Sequence, residues 1–289
     1  MQNGQKFRRL STGRKIATIC STILFALFAL VFLYTVVWAI LNAFKEASDF
    51  FSDDRNTFLL PLTWKFDNFI KVFTEFHYRD YYYLDMLFNS LWMFVVRIFV
   101  NVMSSALLAY AIAKFRFPGK EFLYAVVIFA NTIPIVGAGA ATYKLFSTLN
   151  MVNNPFLIWM AWAGGFDFAF IVLYGTFRGI SDSYSEAAKI DGANNLTVLF
   201  RVVFPQAFPS VVAVAITQAV GVWNDYNTVM IYMREFPNLA YGLFMFEKEV
   251  RDMPLYLAAV CISILPVLII YAANQKLVLQ NVTTGGLKG

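Results

Sequence analysis

Along the chain, long apolar stretches alternate with shorter polar ones. Five stretches are continuous: Ile16 to Phe44, Leu87 to Ala113, Phe122 to Tyr143, Pro155 to Phe177 and Leu255 to about Tyr271. A sixth, Ser210 to Met233, is interrupted by WNDYN at 223 to 227 but is otherwise apolar enough to span. Each is close to the roughly 20 residues that cross a hydrocarbon core of about 30 Å as a helix. A helix pairs its own backbone donors and acceptors, which lipid cannot do for it. The pattern therefore predicts an all-α polytopic membrane protein with six transmembrane helices.

Composition strengthens this reading. Hydrophobic residues make up 59% of the chain and charged residues only 14%, against roughly 45–50% and about 25% in a soluble domain. With 289 residues, six spans leave no room for a large soluble catalytic domain as well, so one integral membrane domain is expected. Cys20 and Cys261 both lie in apolar runs, where a thiol packs as a small hydrophobe and defines neither a disulfide framework nor a metal site. The one histidine, His77, sits in the polar, aromatic segment EFHYRDYYY and reads as a solvated side chain.

Charge then orients the spans. With the N-terminus in the cytoplasm, the internal segments hold 13 of the 23 Lys and Arg residues and four acidic ones (Glu121, Asp182, Glu186 and Asp191). The external segments hold nine basic and twelve acidic residues, which is the asymmetry the positive-inside rule requires. Both termini are expected in the cytoplasm. The pI near 9.1 thus reports topology; no basic, aromatic-interleaved soluble patch points to nucleic acid. The first apolar run follows the basic segment MQNGQKFRRLSTGRK but is about twice the length of a signal-peptide core and lacks a small-residue cleavage pattern, so it reads as a retained helix. The expected organisation is a basic tail over 1–15, a transmembrane domain over 16–280 and a tail over 281–289. The external loop 45–85 is rich in Phe, Tyr and Trp, and suits either an interfacial cap or a docking surface.

On this topology the longest internal loop is 178–209, containing SYSEAAKIDGANNLTVLFRVVFPQAFP from residue 183. Ser183 followed three residues later by Glu186 is a capping-box pattern. Glu186 also suits the positive first turn of a helix. Ala187 and Ala188 favour helix and allow close approach, and Gly192 supplies a left-handed stop. Pro205 and Pro209 are expected to break the chain before the next span. A plain interhelical loop and a rigid peg gripped by a cytoplasmic partner fit these features equally.

The same residues carry a resemblance. Glu186-Ala187-Ala188, Asp191-Gly192-Ala193, Phe200 and Pro205 resemble the EAA loop of ABC importer permeases in its carbohydrate-importer form. Further matches resemble MalG-like oligosaccharide permeases: Asn42 to Lys45, Asn89 to Trp92, YAIAKFRFPGK at 110–120, Trp223 to Asp225, and the terminal GGLKG. Phe204 departs from the usual Leu, and Leu-Lys-Gly from the commoner Val-Lys-Gly. The resemblance implies a type I ABC importer permease fold in a bacterial inner membrane. It implies that Ser183, Glu186, Ala187, Ala188, Asp191, Gly192, Ala193 and Pro205 belong to a coupling helix and loop that dock on an ATP-hydrolysing subunit. The implied partners are a second, MalF-like permease, two ATPase subunits, an extracytoplasmic solute-binding protein and an oligosaccharide substrate.

No G-x-x-x-x-G-K-[ST] loop, HExxH, GxSxG or Cys/His cluster occurs, so ATP and Mg are expected on the partner subunits, with no cofactor in this chain and no enzymatic role. Charges inside spans are expensive and face bundle interiors, which singles out Arg97, Asp167 and Asp225 as lining a translocation path. Trp223, Asn224 and Asn227 join them, because aromatic faces and amide or carboxylate groups together suit sugars. The alternative is that these residues close polar networks between helices or subunits. Two rival functions are a permease of the same class for a non-sugar solute, such as a peptide or polyamine, and an ATP-independent secondary transporter. The Gly192-to-Pro205 spacing and the GGLKG tail argue against the first; the second leaves a capped cytoplasmic helix without a purpose.

Overall fold

The structure is a computed structural model and describes residues 12–52, 56–133, 137–249 and 252–285. Most of the basic tail and the last four residues of GGLKG therefore lie outside the described residues. The described residues are mostly helical and include one hairpin of two two-residue strands, β1 (His77–Tyr78) and β2 (Tyr81–Tyr82). Arg79 turns that hairpin with φ +53°. His77 stands exposed on it.

Two compact units make up the chain. One runs to Val72 and takes in residues 250–261; the other holds Phe73–Glu249 and everything from Ile262. In the first, α1 (Thr12–Ala43) is followed by α2 (Ala47–Ser52), a 3-10 turn (Asn56–Phe58) and α3 (Asp67–Thr74). The segment between them is folded by its own polar groups. Asn68 Nδ2 donates to the carbonyls of Ala43 (2.9 Å) and Lys45 (2.8 Å), and the Phe44 ring meets Trp64, Phe66 and Phe69.

The second unit is built on α4 (Tyr83–Lys114), followed by α5 (Lys120–Thr132), α6 (Gly139–Thr148) and a 3-10 turn (Ile158–Trp162). Next come α7 (Phe168–Gly179), α8 (Asp182–Ile190), the short α9 (Asn195–Thr197), α10 (Phe204–Trp223), α11 (Tyr226–Tyr232) and α12 (Leu239–Glu249). The last helix, α13 (Met253–Gly285), belongs to this unit from Ile262 onward. Its core lies where α4, α7 and α10 pack together, around Ala106, Ala109, Phe170, Leu173, Phe177, Val203 and Val214. Small residues on α4 let α7 approach closely, which gives helices in lipid their packing contacts. Asn89 and Ser90 are buried and hold the start of α12 through Pro237 O (3.0 Å) and Leu239 N (2.7 Å).

Among the described residues four helices are long and apolar enough to cross a membrane: Gly13–Ala43, Tyr83–Lys114, Asn195–Trp223 and Met253–Ala273. Three expected spans are not single helices; that over Ser210–Met233 is divided between α10 and α11. The third is divided between α5 and α6, and the fourth between the 3-10 turn and α7. The last helix runs past Tyr271 to Gly285, taking in part of the expected 281–289 tail.

Two local expectations are corrected. Ser183 does not cap α8; Ser181 does, its Oγ accepting the Ser183 N–H at 3.4 Å. The helix starts earlier because Lys114 holds Asp182 in its first turn (2.6 Å). Nor do the prolines break the chain. Helix continues from Asn195 to Trp223 through a π-helical turn at Val198–Val203. Pro205 sits at the first positions of α10, where no backbone donor is required. Gln206 Nε2 instead reaches back to Val202 O (2.9 Å), pairing a carbonyl at the π turn.

Candidate functional site

The α8 loop is built as a rigid projection. Past Ile190, Gly192 adopts φ +86°. Its N–H reaches Lys189 O (3.0 Å) and the Ala193 N–H reaches Ala188 O (2.9 Å). These two bonds form a Schellman ending, which a residue with a Cβ accommodates poorly. Asn194 Oδ1 then caps the following turn by accepting the Thr197 N–H (2.8 Å). One side of the loop, Ala188 and Ala193, packs on the core of the unit. Opposite, Glu186, Ala187 and Asp191 are exposed, as are the apolar side chains of Tyr184, Leu196 and Phe200. Ile190 is 86% exposed, unusual for so large an apolar group and suited to burial against a partner. At the other end of the loop, the hydrogen bond from Lys114 and its charge hold the Asp182 carboxyl below the usual carboxylate range.

A second cluster of polar groups lies between α4 and α10. Asp167 caps α7, accepting the Phe170 N–H at 3.1 Å. It also accepts Ser105 Oγ (3.0 Å) and Asn101 Nδ2 (2.8 Å) from α4. Asp225 caps α11 in the same way, accepting from the Thr228 N–H (3.0 Å) and hydroxyl (2.5 Å), and it is ion-paired with Arg97. Arg97 and Asp225 are each partly covered, at 29% and 17% side-chain exposure. Arg97, Asn101 and Asp167 line a cavity of about 450 Å³, together with Thr217, Gln218 and Gly221 of α10. They also line an adjoining one of about 260 Å³ with residues 161–166. Asn101 Oδ1 is buried and has no hydrogen-bond partner among the described residues. The arrangement offers carboxylate, amide and guanidinium groups to a hydroxyl-bearing solute in a space of ligand size.

The structure thus brings Arg97 and Asp167 to one cavity and ties Asp225 to it through Arg97. It does not bring the rest of WNDYN there as a set. Trp223 is buried, with its indole N–H on Ser263 O (3.1 Å) and its ring against Phe94. Asn224 is exposed and bonds the carbonyl of Val220 one turn back (3.0 Å), and Asn227 is exposed. Sequence reasoning missed Asn101 and Ser105, although their signal was present: Arg97, Asn101 and Ser105 recur every four residues, a polar stripe down one face of an apolar helix. Thr217 and Gln218 carried no such period.

Comparison with known proteins accounts for this architecture. The chain is similar to the diacetylchitobiose uptake system permease protein NgcG of Streptomyces coelicolor, 27% identical over 281 residues, which cover 95% of this chain and 90% of that one. It is similar to the maltodextrin transport system permease protein MalD of Streptococcus pneumoniae, 28% identical over 267 residues, covering 90% and 92% of the two chains. Among solved structures, a chain of a bacterial ABC transporter involved in the import of the acidic polysaccharide alginate superimposes with a TM-score of 0.74 at 25% identity. That match covers 93% of this chain and 99% of the other. The family model for the inner membrane component of binding-protein-dependent transport systems matches residues 102–280, a span that includes Asp167, the whole α8 loop and Asp225; this chain belongs to that family.

Proposed function

We propose that this chain is one permease subunit of an ATP-driven importer of oligosaccharides in a bacterial inner membrane. It forms half of the translocation path beside a second, MalF-like permease and receives sugar from an extracytoplasmic solute-binding protein. Its α8 loop docks on one of two ATPase subunits, where ATP and Mg bind. The observation that carries this reading is the α8 loop itself: a helix capped at both ends, seated on the core by Ala188 and Ala193, with Tyr184, Glu186 and Ile190 turned outward. Relatives named for diacetylchitobiose and maltodextrin uptake support a sugar substrate.

The mechanism follows from a two-position lever. Closure of the ATPase pair draws α8 inward, and α8 biases a bistable interface between the permease bundles. Arg97, Asn101, Asp167 and Asp225 line or border the path on this subunit. Six crossings remain the reading of the chain, three of them broken helices. Irregular backbone at membrane depth is tolerated where protein or a cavity covers it, and the start of α7 at Asp167 borders a cavity. The basic excess supports cytoplasmic termini.

Gly192→Arg tests the docking assignment, because it forces a side chain into a left-handed position and adds bulk to the loop. The expected result is loss of ATPase co-purification and of uptake; unchanged co-purification and uptake would sink it.

A further inference from the structure

Lys114, the last residue of α4, is almost wholly covered: its side chain is 8% exposed. Its ammonium donates to Ile180 O at 2.5 Å and to Asp182 Oδ1 at 2.6 Å. These two acceptors flank Ser181, the N-cap of α8. A lysine ammonium is strongly hydrated, and covering it is costly unless hydrogen bonds replace the water. Here a carbonyl and a carboxylate do so, both from the start of one short helix. Asp182 stays largely exposed, 74% by side chain, so the pair adds little to stability. Its consequence is positional: it fastens the beginning of α8 to the end of α4.

α4 is an unbroken helix of 32 residues with no glycine or proline in it. At 1.5 Å per residue, Asn101 lies about 20 Å and Arg97 about 25 Å up the same rod from Lys114. At those positions α4 is a wall of the polar cavity. The covalent neighbours of α8 lead to the other helices of the cavity: Gly179 to Ser181 join it to α7, whose cap is Asp167, and Asp191 to Val203 join it to α10, which carries Thr217 and Gln218. Lys114 is a direct polar link from α8 to α4 itself.

We propose that Lys114 is a positioning residue that ties α8 to α4, so that displacement of α8 is delivered along α4 to the cavity wall at Asn101 and Arg97. This rests on α8 being the helix that docks on the ATPase. The test uses the complete importer, with its companion permease and ATPase subunits, in liposomes. A reporter cysteine, Thr217→Cys, is placed on the opposite cavity wall in a background without Cys20 and Cys261. Its rate of reaction with a water-soluble maleimide is measured with and without ATP and vanadate.

In the parent complex nucleotide changes that rate. Lys114→Met, which keeps the aliphatic stem, is expected to retain its ATPase subunits and yet reduce the nucleotide-dependent change at least about fivefold, the low end for coupling between two sites. Lys114→Arg is expected to keep the change. If Lys114→Met does not assemble, the exposed partner variant Asp182→Asn carries the test, with the same loss expected. A full nucleotide response in the assembled variant overturns the proposal. The docking reading fails separately: retained ATPase co-purification in Gly192→Arg sinks that reading whatever Lys114 does. Lost co-purification there, with a normal response in Lys114→Met, overturns the strut alone. A parent cavity that ignores nucleotide overturns both.

Discussion

Asp167 and Asp225 show how one carboxylate serves two ends. Each caps a helix that begins inside an apolar stretch, where the first backbone N–H groups have no water to bond. Each also joins α4 laterally, Asp167 through Asn101 and Ser105, Asp225 through Arg97. Capping explains why a carboxylate stands there at all; the lateral bonds explain why it borders the cavity rather than lipid. The Arg97–Asp225 pair should therefore behave as a unit. Removing Arg97 alone (Arg97→Met) leaves a partly covered carboxylate short of a partner and is expected to cost roughly 1–3 kcal/mol, less than for a fully buried pair. Adding Asp225→Asn should recover part of that loss. Thermal unfolding of the two single variants and the double variant in detergent measures it, and strict additivity would show that the pair is not coupled.

At the scale of elements, neighbouring contacts move boundaries that local pattern alone would place elsewhere. α8 starts at Asp182 and not after Ser183 because Lys114 holds its first turn. α10 runs through Pro209, after a π turn at Val198–Val203 where the Gln206 side-chain amide donates to Val202 O. The segment before α7 is pressed onto α4 at Gly164, whose N–H bonds Ser104 Oγ at 2.7 Å. A Cβ there would lie 2.8 Å from the backbone oxygen of Asn101 and 2.3 Å from Ser105 Oγ. At Gly242 the nearest atom to an added Cβ is the Met86 sulfur, at 2.2 Å, and a thioether chain can turn aside. Gly164→Ala is thus expected to lose about 1–3 kcal/mol and to disturb uptake, with Gly242→Ala the milder of the two. Equal melting temperatures for the two variants would contradict the close approach at Gly164.

For the whole molecule, the membrane sets the remaining constraint. The orientation proposed from the basic excess has residues 45–85 outside and the α8 loop inside. A single cysteine at Asp67 should react with an impermeant maleimide on intact cells. One at Asn194, in a background without Cys20 and Cys261, should react only after permeabilisation. The reverse pattern would invert the topology and remove the α8 loop from any cytoplasmic partner.

Much of this protein was legible in sequence because the bilayer imposes a coarse rule: about twenty apolar residues make a helix. Membrane class, the apolar runs behind the four long helices and the α8 helix with its Gly192 stop follow from one-dimensional periodicity and local chemistry; the family was legible only as a resemblance, carried chiefly by Glu186 to Ala188, Asp191 to Ala193 and Pro205. The cavity did not, since it depends on which faces of α4 and α10 meet, and that is settled by packing around Ala106, Phe170 and Val214. Tertiary contact also separated Trp223 from Asp225, two residues apart in WNDYN but nearly opposite around a helix end. One is turned into the protein against Ser263, the other toward Arg97. Spacing along the chain shows which groups are near one another; only the packed structure decides which of them share a space.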